Sequence, residues 1–104
     1  MSDYIADVAK YVDAPDQARI NKIVSYCGIA LRSSKDAALV SASDKKELDR
    51  VRDGFAKKKL ELDSDAAEAG IKKVCEQMKG SRQKSRVTFY YLLATHTGTL
   101  DKLA

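Results

Sequence analysis

The sequence has no tryptophan, one proline (Pro15) and five glycines in 104 residues. That is a poor supply of turn formers, and it disfavours the many short, turn-linked strands of a β-sandwich. No apolar run approaches the about 20 residues needed to cross a bilayer. The N-terminal "MSDYIADVAKYV" carries acidic residues where a signal peptide has basic ones, and its apolar residues are spaced rather than continuous. A soluble, cytoplasmic protein without a membrane partner is expected.

Reactive side chains are equally scarce. The two cysteines, Cys27 and Cys75, are far apart, belong to no CxxC pair and follow Val24 and Val74 on apolar helix faces. Both read as buried small hydrophobes in a reducing compartment, with no disulfide or metal role. His96 is the sole histidine, and no neighbouring cysteine or carboxylate completes a metal site. It reads as a surface residue near a helix end. Asp44 and Glu47 look like helix-start charges rather than an acid/base pair. "DRVRDG" and "HTGT" lack the glycine pattern of a phosphate loop. No catalytic residue, metal or cofactor is expected, and the chain does not read as an enzyme.

What the sequence has in quantity is helix. Hydrophobic residues make up 44% and charged residues 33%, enough apolar material for one core without staples. Apolar residues recur at three-four spacing nearly throughout. Tyr4, Ile5, Val8, Tyr11 and Val12 share a face of a first helix capped by Ser2. Asp13 is the expected cap of a second, with Pro15 in its first turn and Ile20, Ile23, Val24, Cys27, Ala30 and Leu31 on its apolar face. Gly28 would let another helix approach that face. "DAALV" reads as one helical turn. Ser41 or Ser43 would cap a third helix lined by Leu48, Val51 and Phe55, with Glu47 on its polar side and Gly54 a mid-helix weak point costing about 1 kcal/mol. Lys57 to Lys59 close it, where positive charge suits the dipole. Ser64 or Asp63 caps a fourth, with Ala67, Ile71, Val74, Cys75 and Met78 buried, and Gly80 ends it. The last helix starts near Ser81 or Ser85. Phe89 to Ala94 are apolar or aromatic without a break, which places it centrally. Gly98 ends it, and Leu100 and Leu103 tuck back onto the core. No convincing strand is found. The fold expected is all-α: a compact bundle of about five helices with a central apolar C-terminal helix, forming a single helical domain over residues 1–104.

Net charge is +4, and its location matters more than its size. Residues 1–42 are neutral, 43–71 carry −1 and 72–104 carry +5. The excess surrounds "KGSRQKSRVTFYYLLA", a basic stretch set directly before the most apolar segment. Lys72, Lys73, Lys79, Arg82, Lys84 and Arg86 are the candidate contacts for an anion or nucleic acid, whose phosphates such residues meet with salt-dependent affinity. No helix-turn-helix, zinc finger or RNA-binding aromatic motif accompanies them. The same charges also suit a solvated outer face. Phe89, Tyr90 and Tyr91 point about 100° apart on a helix, so they form no flat stacking platform and are expected in the core.

"GIALRS", "LDRVRDGFAKKKLEL", "VCEQMKG" and "RQKSRVTFYYLLA" together resemble a family of small bacterial proteins of about this length, catalogued as a domain of unknown function. The resemblance covers most of the chain, most clearly Leu48 to Ala94. It implies a bacterial, cytoplasmic, one-domain protein and brings no site residues with it. Two functions follow as expectations. The first is a non-catalytic cytoplasmic protein-interaction domain whose partner is another protein or a second copy. The alternative is a weak nucleic-acid or anion binder acting through Lys72 to Arg86.

Overall fold

In the computed structural model the chain is an all-α bundle. Residues 4–33, 39–40, 45–79 and 84–103 are described, without the side chains of Tyr4, residues 27–33, 39–40, Lys84 and Leu103. The helices are α1 (Tyr4–Val8), α2 (Gln17–Ser33), α3 (Lys45–Val51), α4 (Ser64–Gln77) and α5 (Arg86–His96). A π-helical segment, Arg52–Lys59, continues α3 directly, and a 3₁₀ turn at Leu100–Leu103 follows α5.

Helix α5 is the axis of the bundle. Every residue from Val87 to Ala94 is buried, and α1, α2, α4 and the π-helical segment all pack on it. Two polar groups in this stretch find partners. The Thr88 hydroxyl donates to Asp7, and the Tyr91 hydroxyl accepts the Asp16 backbone N–H at 2.9 Å. A buried hydroxyl without such a partner would cost stability.

Local signals set several boundaries. Asp63 caps α4, its side chain accepting from the Ala66 N–H at 2.7 Å. Gly98 adopts φ +68° after α5, the left-handed position expected of a terminating glycine. The cap of α2 differs from the expected one. Asp16, not Asp13, accepts from Ala18 and Arg19 N–H at 2.9 and 3.2 Å, so Pro15 lies ahead of the helix. Asp16 is held there by Tyr91 from α5, a tertiary contact that local spacing does not encode. Leu100 packs on the core as expected. Ser2, Ser41, Ser43, Asp44, Gly80 and Ser81, and the side chains of Cys27, Gly28, Ala30, Leu31 and Leu103, for which the sequence carries expectations, lie outside the described residues.

Two further features depart from expectation, and a third, at Gly70, was not anticipated. Leu39–Val40 (β1) is not a helical turn: it pairs antiparallel with Lys84–Ser85 (β2), Leu39 opposite Ser85 and Val40 opposite Lys84. Each two-residue strand satisfies the other's backbone, which neither could do alone. The third helix does not stay α-helical beyond Val51. Leu60 N–H donates to the Phe55 carbonyl five residues back, at 3.1 Å. The wider winding turns both Phe55 and Ala56 inward. The close helix approach within the described residues is at Gly70. A Cβ there would sit 2.6 Å from Thr97 Cγ2 and 2.7 Å from Leu93 Cδ1.

Candidate groove between α3 and α4

The expected basic contacts separate into three groups. Lys72 and Lys73 on α4, and Lys79 just beyond it, are exposed. Arg82 lies outside the described residues, and Lys84 is described only as backbone, in β2. Arg86 is not part of an exposed patch. Its side chain is 14% exposed, as is that of Glu47, and the two form an ion pair. Arg86 also donates to the Tyr90 hydroxyl at 2.9 Å and lies 5.7 Å from the centre of that ring. Burial opposes its charge, but Tyr90 and Glu47 outweigh it and hold its pKa above the ordinary arginine value. Glu47 is correspondingly not a solvated helix-start charge. Arg86 faces inward because it opens α5, the helix the rest of the bundle surrounds.

Tyr90 continues this cluster. Its ring stacks on Phe55 with centroids 4.1 Å apart and planes 13° apart. Tyr26 meets both rings edge-on, at 5.3 Å from Phe55 and 6.5 Å from Tyr90, and stays 44% exposed. Phe89, Tyr90 and Tyr91 are buried, as expected of core aromatics.

A concavity among the described residues lies elsewhere. Helix α4 packs on the π-helical segment more closely than on α3, so a wedge opens between α3 and α4. It holds about 360 Å³ and is lined by Lys45, Leu48, Asp49, Arg52, Glu68, Ile71, Lys72 and Cys75. Leu48, Ile71 and Cys75 form an apolar floor. Leu48 and Ile71 also belong to the core-facing stripes, so the floor is the core's own edge, with Ile71 buried and Leu48 and Cys75 half-buried. Cys75 is half-buried rather than buried as expected, because it stands at this edge.

The rim is charged and uneven. Arg52 is held at one end by Asp53 (2.9 Å), Glu68 (2.7 Å) and Asp49 (3.4 Å). Hydrogen bonds to Asp53 and then Glu68 raise its pKa, and Arg52 in turn lowers that of Asp53. Lys45 and Lys72 form no ion pair with any described residue. Of the groove residues, only Lys72 was a sequence candidate. The others looked like ordinary stripe or surface positions, and only the splaying of two helices makes them one site.

His96 is exposed, as expected, and its Nε2–H donates to Gln77 Oε1 at 2.7 Å. No group of three or more His, Cys, Asp or Glu among the described residues could hold a metal ion. No helix among them is long and apolar enough to cross a membrane.

The likeness noted in the sequence is borne out by residues 3–101, which match the family described as "Protein of unknown function (DUF2853)". The chain belongs to this family. No curated protein matches it. The family spans all five helices and both faces of the groove, so fold and groove lie within one family unit.

Proposed function

We propose that this DUF2853 protein is a non-catalytic, cytoplasmic protein-interaction domain that docks a segment of another protein in the α3–α4 groove. The observation that carries this is the half-buried core edge of Leu48 and Cys75, over the buried Ile71, inside a charged rim. An apolar centre within a polar rim is how protein interfaces are built. A groove between two helices suits an amphipathic helix laid along it. The π-helical segment supports the same reading, since such winding recurs at functional sites; here it forms one end of the groove through Arg52.

A photo-crosslinking residue at position 45 or 72 tests this in cells. The expected result is one discrete crosslinked protein that also binds the purified domain and is lost on Leu48→Glu, with circular dichroism confirming the fold. The reading fails if neither groove position yields more crosslinking than an exposed site such as Lys10. Concentration-dependent sedimentation of the domain alone, abolished by Leu48→Glu, would make the occupant a second copy and overturn the choice of partner.

One observation favours the alternative. Lys72, Lys73 and Lys79 are exposed and form no ion pair with any described residue. Three such contacts would give phosphate affinity that falls with salt. Neutralising all three would flatten the salt dependence of nucleic-acid retention by about three contacts' worth, whereas groove docking alone predicts no salt-dependent retention for the change to remove.

A further inference from the structure

We infer that the segment docked in this groove is amphipathic with divided charge: an apolar ridge, acidic side chains at the Lys45–Lys72 end and basic ones at the Arg52 end. The inference rests on the docking function proposed above and adds the chemistry and direction of the partner.

Position comes first. Arg52 Nη1 lies 2.7 Å from Glu68, near the start of α4. Lys45 is seven residues upstream on α3, about 10 Å away at about 1.5 Å per residue. Lys72 and Cys75 lie about one and two turns beyond Glu68 on α4. These five residues line one concavity together with Leu48, Asp49 and Ile71. Its two ends are therefore the Arg52–Glu68 contact and the Lys45–Cys75 mouth, with Lys72 about one turn inside that mouth.

Charge comes second. At the Arg52 end two groove-lining carboxylates, Asp49 and Glu68, flank one guanidinium. Two negative charges against one positive leave a surplus of one negative. At the mouth, Lys45 and Lys72 are cations that no described carboxylate pairs. Their ammonium groups keep donors for an incoming acid, while Asp49 and Glu68 can meet an incoming base beside Arg52. The apolar lining between the ends is Leu48 over the buried Ile71, continued by Cys75 towards the mouth, so the face of the partner laid on it must be apolar. About two helical turns separate the ends, which matches apolar residues at i, i+3 or i+4, and i+7 on the partner. Opposite charges at the two ends favour one direction of docking and penalise the reverse, which brings like charges together.

The test is selection from a displayed library of random peptides three helical turns long. The folded domain serves as bait, and Leu48→Glu as the counter-bait. A second counter-bait is the Cys27→Ala protein alkylated at Cys75, which blocks the groove without changing Leu48. Peptides that bind only the open groove are expected to carry acids at one end and bases at the other. For a selected peptide, Lys45→Glu with Lys72→Glu should weaken binding at least tenfold at low salt. Replacing the peptide's acids by lysines should restore it. Groove-dependent peptides lacking acids, or indifferent to the lysine changes, would overturn the charge inference while leaving docking intact. Absence of any groove-dependent peptide would overturn both.

Discussion

Arg86 and Glu47, thirty-nine residues apart in sequence, form an ion pair with both side chains largely withdrawn from water. The pair ties the start of α5 to α3, and Arg86 also reaches the Tyr90 hydroxyl. A half-buried charge that loses its partner keeps its desolvation cost. Arg86→Ala should therefore cost about 2–4 kcal/mol in urea melts. The Glu47→Ala/Arg86→Ala double variant should cost less than the two single changes summed, since neither orphaned charge remains. A loss below about 0.5 kcal/mol for Arg86→Ala would place this residue with ordinary surface charges.

Two glycines make opposite predictions. Gly54 has open space where a Cβ would go, so Gly54→Ala should stabilise by up to about 1 kcal/mol through helix propensity. Gly70→Ala gains the same propensity but drives its methyl into Thr97 and Leu93. Leu93 is fully buried and cannot swing aside, and overpacking of this kind costs about 1–3 kcal/mol. Thermal melts should move up for Gly54→Ala and down for Gly70→Ala. A stabilised Gly70→Ala would show that α4 and α5 can separate at no cost.

These residues also mark what the sequence discloses. The continuous run from Phe89 to Ala94 identifies the central helix, because apolarity on every side leaves no solvent face. Asp63 and Gly98 are legible because caps act within one turn. Glu47, by contrast, carries the same spacing as any exposed acid, and only the fold brings Arg86 to it. The pairing of Leu39–Val40 with Lys84–Ser85 is too short to show an alternating pattern. The π-helical turn has no distinct spacing signature over eight residues. The groove is least legible of all, since it arises from the angle between two helices whose own stripes look complete. Lys72 alone was anticipated there, and as a member of a different surface.

His96 supplies a pH prediction. Burial, and then the charge of Lys73, lower its pKa from the ordinary 6.5. The folded chain therefore binds this proton less tightly than the unfolded chain. No penalty exists above the unfolded pKa. It grows as pH falls through about 6.5 and levels off below the folded value. Urea midpoints should consequently fall less between about pH 7.5 and about pH 5 in His96→Gln than in the parent. Lys73→Ala should fall in between. Identical pH slopes in parent and His96→Gln would remove His96 from any such role.

Cys75 reports on the groove directly. Its thiol is half-buried on the groove floor, beside the mouth formed by Lys45 and Lys72. In a Cys27→Ala background it should label in the native state without global unfolding, though more slowly than in denaturant. Two reagents then separate two effects of the lysines. Loss of nearby cations disfavours the thiolate and slows every reagent alike. Attraction of an anion into the groove concerns only a reagent that is itself negative. Lys45→Glu with Lys72→Glu should thus slow an anionic aromatic disulfide several-fold more than a neutral maleimide. The extra slowing should disappear at about 1 M salt, where the screening length falls to about 3 Å. Equal slowing of both reagents would mean that the lysines act on the sulfur alone. The mouth would then hold no preference for acidic partners, and the divided-charge assignment would fall with it.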